Sequence, residues 1–253
     1  MLHCLATFFL VFVLTGVTGC APTSSAQSLQ IYAASSLAPV LKAVGQGFEA
    51  QFPGASLQIN YAGSQTLRSQ IAHGAPADLF LSAHPEHVKA LEAQELLTSS
   101  QPFARNELVV IVASNAAAQI QRFGDLVRAN RLVLGTPEVP VGRYARSAIA
   151  SQGAEFQTTV LSRVISWEPN ARMVLAKLSL GEADATLAYR SDALGAADLH
   201  IIELPEPAAQ TATYWSGITT NSASTALAKR FQAHLLSAET QQYLHTRGFR
   251  SPP

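Results

Sequence analysis

Two short stretches of the sequence place a serine between a run of small residues and an apolar segment of helical spacing. They read YAASSL at 32–37 and YAGSQTL at 61–67. The first turn of a helix has unpaired N–H groups and a partial positive charge, so a serine at such a junction can offer an anion both a hydroxyl and an N–H group. Ordinary capping of the helix by the serine oxygen is the alternative. Ser36 and Ser64 are therefore the first candidates for anion-binding residues.

The segments that must position these serines alternate between strand-like and helix-like patterns. Leu41, Val44 and Phe48, for example, fall on one face of a helix. The alternation predicts an α/β protein with mostly parallel sheets, in which ligands bind beyond the carboxyl ends of the strands. The predicted strands span 29–34, 56–62, 77–83, 106–113, 131–137, 163–167, 185–189 and 199–205. The predicted helices span 37–52, 66–74, 85–97, 142–152, 169–183 and the region after residue 219.

Composition and charge limit the classes of function. The chain has 253 residues, of which 48% are apolar, so it is long enough for one or two domains with a sizeable core. Its 17 basic and 17 acidic residues balance, and no basic cluster stands out. Because binding to nucleic acid requires clustered Lys and Arg, the composition argues against a nucleic-acid partner.

The first 20 residues have the features of an export signal. Residues 4–20 are apolar, and VTGC at 17–20 resembles a bacterial lipobox, in which the cysteine carries a lipid. We therefore expect a signal peptide at 1–19, a lipidated Cys20 and a tether at 20–28. A plain signal peptide or a single anchor helix is the alternative, since no Lys or Arg precedes the apolar run.

The sequence offers few residues for a metal site or for catalysis. Cys4 and Cys20 both lie in the predicted signal segment, so residues 29–253 have no cysteine for a disulfide or a metal. His84 and His87 in HPEH have the spacing of some metal ligands, but their neighbours suggest no third ligand. The sequence has neither a nucleophile elbow nor a P-loop, which argues against an exported hydrolase.

Several further motifs follow the two serine stretches in a fixed order. The series begins with AASSL, YAGSQTLRSQI and GAPADLFLSA. It continues with TPEVPVGRYAR (136–146), EPNARMVLAKLSLGEADA (168–185), AYRSDA (188–193) and YLHTRGF (243–249). In order and spacing, this series resembles the molybdate-binding proteins of bacterial ABC transporters, and the resemblance covers residues 29–250.

The resemblance implies a fold and a function. The fold is the two-lobed type II periplasmic-binding-protein fold, in which each lobe is a mostly parallel sheet flanked by helices and the ligand lies in the cleft between them. The implied lobes are 29–105 with 206–253, and 106–205. A monomer anchored by its lipid in the periplasm or on the outer face of the cytoplasmic membrane would capture molybdate or tungstate, without a cofactor or a free metal cation, and deliver it to the membrane permease of an ABC importer.

The resemblance also assigns binding roles to individual residues. The hydroxyls of Ser36, Ser64 and Tyr189 would donate hydrogen bonds to the oxyanion, as would the backbone N–H groups of Val141 and Ala171. These groups suit a deprotonated tetrahedral dianion, which presents only acceptors. The smaller sulfate could not reach every donor at once, and a protonated monoanion would bring a donor that such a site cannot accept.

Some neighbouring residues and some functions stay open. Asn170 could add a side-chain donor. We expect the nearby arginines to be solvated or structural, namely Arg68, Arg143, Arg172 and Arg190. The alternative functions are binding of another oxyanion such as sulfate or phosphate, hydrolysis by an exported enzyme, and a role as the effector domain of a transcription factor. The signal segment and the absence of a basic DNA-reading helix argue against the last of these.

Overall fold

The computed structural model describes residues 27–194 and 198–253. Its strands are Gln27–Ala34 (β1), Ala55–Ala62 (β2), Leu79–Ser82 (β3), Leu97–Ala113 (β4), Leu132–Gly135 (β5), Val164–Glu168 (β6), Ala185–Tyr189 (β7), Leu199–Glu203 (β8), Thr211–Thr219 (β9) and Phe249–Arg250 (β10). Its α-helices are Ala38–Gln51 (α1), Ser64–Ala72 (α2), Pro85–Glu92 (α3), Pro140–Ala150 (α4), Ala154–Ser162 (α5), Ala171–Ser179 (α6), Arg190–Ala193 (α7), Thr225–Leu235 (α8) and Ala238–Thr246 (α9).

The predicted signal peptide, Cys20 and most of the predicted tether lie outside the described residues. The end of the tether is an exception, because β1 begins two residues earlier than the sequence predicts. Gln27 and Ser28 pair with Ala55 and Ser56 of β2, and this backbone pairing makes them part of the sheet. Among the residues that the structure describes, no helix is both long enough and apolar enough to cross a membrane.

The long strand β4 joins two halves of the sheet. Its residues 97–107 pair with β9, and its residues 108–113 pair with β7 and β8. The strand order is β2-β1-β3-β9-β4-β7-β5-β6, with β8 and β10 also paired to β4. We call β1, β2, β3, β9 and β10 the first sheet and β5, β6, β7 and β8 the second sheet, with β4 shared between them.

The strand directions differ in part from the mostly parallel sheets that the sequence predicts. β1 is parallel to β2 and β3, and β5 is parallel to β6 and β7. β4 and β9, however, are antiparallel to every strand with which they pair. Neighbouring parallel strands must be joined by a crossover connection, usually a helix. β4 and β9 instead carry the chain from one sheet to the other and back, and they run antiparallel to their neighbours. Each half of this α/β fold is therefore mixed.

β4 is also longer than the sequence predicts. The pattern predicts a helix over 85–97 and a strand that begins at residue 106, but α3 ends at Glu92 and β4 begins at Leu97. The backbone of Glu95 has a φ of 57°, which ends the helical path. From Leu97 onward the chain bonds to β9, a partner more than a hundred residues away in sequence. The helix α5 likewise lies where the sequence predicts none.

The apolar face that the sequence predicts for α1 anchors that helix. Leu41, Val44 and Phe48 are buried, and the Phe48 ring meets the Phe231 ring of α8 edge-on, with 5.0 Å between ring centroids. Full burial of one such side chain contributes about 1.5–3 kcal/mol relative to exposure. This packing fixes the start of α1, and with it the 3-10 turn Ser35–Leu37 that connects β1 to the helix.

Asp192 in α7 is a buried carboxyl group that accepts a hydrogen bond from the backbone N–H of Tyr189 at 3.1 Å. Burial raises the pKa of Asp192 from its ordinary value of 3.8 to about 7, and the Tyr189 hydrogen bond lowers it only in part. Between these two pH values the folded protein keeps a proton that the unfolded chain has lost. The contribution of Asp192 therefore makes the free energy of unfolding fall as the pH rises from 3.8 to about 7.

Replacing Asp192 with Asn should remove this pH dependence, because an amide keeps the acceptor for Tyr189 but does not ionise. We expect the free energy of unfolding of the wild type to fall, relative to Asp192→Asn, by up to about 4 kcal/mol over this interval. Denaturant unfolding of the ligand-free proteins at pH 4.5, 6 and 8 measures the difference. Glu155→Gln, at an exposed position of α5, controls for the loss of a surface charge. Parallel profiles for wild type and Asp192→Asn would contradict the expectation.

Gly142 allows α4 to lie directly against the end of β5. A Cβ at this position would overlap the backbone carbonyl oxygens of Gly135 and Thr136. Gly142→Ala should therefore lower the free energy of unfolding by about 1–3 kcal/mol, even though alanine is the better helix former. Gly124→Ala is the matched control, since a Cβ there meets no atom within 4 Å. Equal denaturation midpoints for the two variants would show that the close approach of α4 to β5 does not require a glycine at position 142.

Candidate anion-binding site

The five residues that the sequence assigns to anion binding line one small cavity. Each of the five is 4% exposed or less, so the cavity is closed to solvent on their side. The space in it that is open to the centre of a water molecule is only about 10 Å³, far below the range of roughly 300–1,000 Å³ typical for drug-sized ligands. The lining residues are Ala34, Ser35, Ser36, Ala62, Gly63, Ser64, Ala83, Val139, Pro140, Val141, Ala171 and Tyr189.

Both sheets contribute to the cavity through the carboxyl ends of their strands. Ser36 follows β1 and Ser64 begins α2 after β2, so these two serines come from the first sheet. Val141 in α4 follows β5, Ala171 begins α6 after β6, and Tyr189 ends β7, so these three come from the second sheet. The helices α2, α4 and α6 therefore all begin at the cavity. The N–H groups of a first helical turn have no acceptor within the helix, so three helix N-termini at one cavity give it a positive potential.

The two serines do not cap their own helices. Neither the 3-10 turn Ser35–Leu37 nor α1 or α2 has a side-chain cap at its N-terminus. The Ser64 Oγ instead accepts the backbone N–H of Ala83 at 3.1 Å, and the Ser36 Oγ lies 3.0 Å from the Tyr214 hydroxyl. The hydroxyl proton of Ser64 therefore stays available to a ligand.

The hydroxyl of Tyr189 is an unpaired donor at the cavity wall. Within the described part of the chain it is buried and has no hydrogen-bond partner. Burial raises the pKa of Tyr189 well above 10.0, and the neighbouring Tyr214, Tyr144 and Asp192 raise it further. The phenol therefore keeps its proton at neutral pH. A buried donor without a partner is costly, so this hydroxyl is poised to bind an acceptor that enters the cavity.

The charged side chains near the motifs lie outside the cavity lining. Arg143 forms an ion pair with Glu86, and Arg190 pairs with Glu107 and Glu203. Neither they nor Arg68 and Arg172, nor any Lys, Asp or Glu among the described residues, belong to the lining. Asn170 is not part of it either, because its side-chain oxygen caps α6 by accepting the Met173 N–H at 3.0 Å. The donors at the cavity are therefore electrically neutral.

Contacts between the two sides close the rim of the cavity. The Gln65 side chain of α2 donates to the carbonyl oxygen of Pro169 at 2.9 Å, and a Cβ on Gly63 would lie only 2.6 Å from the same oxygen. The ion pair between Glu86 of α3 and Arg143 of α4 also crosses the rim. The rings of His84 and Tyr144 lie next to it, with 5.2 Å between centroids. The two sides of the cavity are therefore in direct contact at the rim.

The histidines of HPEH have structural positions. The Nδ1 atom of His84 accepts the Glu86 N–H at 3.2 Å and so caps α3. Burial, and after it the neighbouring His84, Arg68 and Arg143, together lower the pKa of His87 to about 4. In residues 27–194 and 198–253, no group of three or more His, Cys, Asp or Glu side chains could hold a metal ion.

Two residues near the cavity were not predicted from the sequence as part of the site. Tyr214 of β9 is fully buried and contacts both Ser36 and the ring of Tyr189, with 5.9 Å between the two ring centroids. Asp192 raises the pKa of both tyrosines. Asp192 falls inside the AYRSDA motif and could have been singled out as an acidic residue near a predicted donor. Tyr214 could not, because only the pairing of β9 with β3 and β4 brings it beside the serine.

Comparison with known proteins agrees with this architecture. The family model for bacterial extracellular solute-binding proteins matches residues 29–250. A relative, the molybdate-binding protein ModA of Mycobacterium bovis, is 32% identical over 234 residues, which cover 91% of this chain and 87% of that protein.

Solved structures confirm the predicted fold. The periplasmic molybdate-binding protein of Azotobacter vinelandii superimposes with a TM-score of 0.79 at 18% identity, over 89% of this chain and 100% of that chain. The sulfate-binding protein SubI of Mycobacterium tuberculosis gives 0.79 at 18% identity, over 88% and 86%. These likenesses confirm the type II periplasmic-binding-protein fold. With the family match over residues 29–250, they place this chain in the family of bacterial extracellular solute-binding proteins.

Proposed function

We propose that this protein captures molybdate outside the cytoplasm for an ABC importer. The observation that carries the proposal is the closed cavity where three buried hydroxyls and the first turns of three helices meet, with neutral donors only. The relative from Mycobacterium bovis, which is named as a molybdate-binding protein, supports the choice of anion. The bound anion would accept from Ser36, Ser64 and Tyr189 and from the N–H groups of Val141 and Ala171.

Neutral donors can hold a dianion if enough of them converge. A hydrogen bond to a charged group contributes a net of about 1.5–3 kcal/mol after its exchange for bonds to water, so five such bonds together can favour binding of a dianion. Each helix N-terminus adds a favourable interaction of about 0.3–1 kcal/mol. A cation in the cavity would attract every anion, whereas a fixed set of donors favours the anion whose oxygens reach all of them.

Sulfate is the second candidate ligand, and the likeness to SubI favours it. The superposition on this sulfate-binding protein is as good as that on the molybdate-binding protein, so the fold does not select between the two anions. Sulfate also presents only acceptors. Its smaller radius would leave at least one donor too far away, and the unpaired donor would lower its affinity. Tungstate, which is close to molybdate in size and charge, should bind about as well as molybdate.

The two-sheet architecture supports a mode of transport in which two lobes close over the anion. We propose that 29–105 with 206–253 and 106–205 are two lobes that close over the anion, and the change of partners of β4 after residue 107 supports this boundary. The closed form would deliver the anion to the membrane permease, and the protein would release it chemically unchanged, as a binding protein and not an enzyme. We further propose that it acts as a monomer held at the membrane by a lipid on Cys20.

Titration calorimetry of the purified protein with molybdate, tungstate, sulfate and phosphate tests the proposal. We expect molybdate and tungstate to bind tightly and sulfate and phosphate weakly or not at all. Ser36→Ala and Ser64→Ala should each reduce the molybdate affinity by about 10- to 150-fold, because each removes a hydrogen bond to a charged ligand. Combining them should reduce it further.

The control is Ser162→Ala, since Ser162 is exposed in α5 and its hydroxyl bonds only to a backbone carbonyl of the same helix. This variant should bind molybdate like the wild type. Thermal unfolding without ligand separates a loss of binding from a loss of folding. Tighter binding of sulfate than of molybdate would reassign the ligand, and binding of none of the four anions would refute the proposal.

A further inference from the structure

Tyr214 contacts Ser36 from outside the cavity lining. It belongs to β9, is fully buried and is not part of the cavity lining. Its hydroxyl lies 3.0 Å from the Ser36 Oγ, and either atom could donate this hydrogen bond. The direction of the bond decides what Ser36 offers to the cavity. If Tyr214 donates, the serine proton is free to face a ligand. If Ser36 donates, the ligand meets only the lone pairs of the serine oxygen.

The other serine shows how such a hydroxyl can be oriented. The Ser64 Oγ accepts the N–H of Ala83, and a backbone N–H can only donate, so the Ser64 proton must point elsewhere. The Tyr214 hydroxyl makes the corresponding contact with the Ser36 oxygen. A phenol is a better donor than an aliphatic alcohol, so donation from Tyr214 to Ser36 is the favoured direction. With this direction both serines present a proton to the cavity.

The surroundings of Tyr214 keep its hydroxyl protonated. Burial raises its pKa well above 10.0, and the charge of Asp192 and the phenol of Tyr144 raise it further, against the lowering effect of hydrogen bonds with Ser36 and Asn106. The donor is therefore present at every pH at which the protein would be used. Hydrogen bonds in a chain also polarise one another, so donation to the Ser36 oxygen strengthens the donor that Ser36 presents in front.

We propose that Tyr214 is a positioning residue that fixes Ser36 as a hydrogen-bond donor and so sets the preference of the cavity for deprotonated oxyanions. The inference rests on the proposed function, because it assumes that an oxyanion occupies the cavity. Without the Tyr214 hydroxyl, the Ser36 oxygen has a lone pair free to accept from a ligand that carries its own O–H group. A hydrogen phosphate dianion is such a ligand, whereas molybdate and sulfate at pH 8 are not.

Tyr214→Phe tests the proposal, because it removes the hydroxyl and keeps the ring that packs against Tyr189. Affinities for molybdate, sulfate and hydrogen phosphate would be measured at pH 8, the weaker two by displacement of molybdate. We expect the molybdate affinity to fall about tenfold. The ratio of molybdate to hydrogen phosphate affinity should fall at least threefold, while the ratio of molybdate to sulfate affinity stays unchanged. A purely structural role would weaken all three anions by the same factor.

A double-mutant cycle with Ser36→Ala gives a second, independent measure. If Tyr214 acts through Ser36, Tyr214→Phe should have no further effect on molybdate binding in the Ser36→Ala background. This pair also keeps the test valid if the single Tyr214→Phe variant folds poorly, since Ser36→Ala with Tyr214→Phe leaves neither hydroxyl unpaired. Tyr243→Phe in α9 is the control for loss of a phenol elsewhere and should bind like the wild type.

The outcomes separate this inference from the proposed function. A wild type that binds molybdate, with a Tyr214→Phe variant that binds it equally well or loses all three anions in proportion, would overturn the positioning role alone. A full effect of Tyr214→Phe in the Ser36→Ala background would do the same. A wild type that binds none of the three anions would overturn both proposals.

Discussion

The constraint on which the proposed site depends is the dehydration of an anion in a cavity that no Lys or Arg of the described residues lines. An ion that leaves water for a buried site loses far more solvation than a single hydrogen bond returns. Donors must therefore surround it on all sides. One sheet cannot provide them, because the carboxyl ends of its strands face one direction. In this protein Ser36 and Ser64 come from the first sheet, and Val141, Ala171 and Tyr189 come from the second.

The need to bring two sheets together explains several features outside the cavity. β4 belongs to both sheets and connects them through its pairing with β9 on one side and β7 on the other. Gly63 and Gly142 allow backbones to approach at the rim and at the start of α4, where a side chain would keep them apart. Among the described residues no arginine lines the cavity, and Arg143 and Arg190 are engaged in ion pairs with Glu86 and with Glu107 and Glu203. The positive potential at the cavity therefore comes from helix N-termini and hydroxyls, whose positions the backbone fixes.

Selectivity in such a site is a matter of donor positions more than of fold. Proteins named for molybdate and for sulfate superimpose equally well on this chain, so the same architecture serves anions of different size. What differs between ligands is how many oxygens reach a donor and whether the ligand carries a proton. We infer that the response to a ligand's proton depends on the groups that bond to the serine oxygens, the N–H of Ala83 at Ser64 and the hydroxyl of Tyr214 at Ser36. Because Tyr214 is not part of the lining, the chemistry of the proposed site would extend beyond its lining.

The sequence alone determined the features that depend on neighbouring residues. The apolar face of α1, the alternation of strands and helices, and the serines at two strand–helix junctions all follow from local periodicity and spacing. The resemblance to a family then named five candidate binding residues, which the structure brings to one cavity. The early start of β1, the first half of β4, the antiparallel strands and Tyr214 depended on tertiary structure. Each of these features depends on pairing or contact with residues that are distant in the chain. The local sequence pattern does not identify those partners.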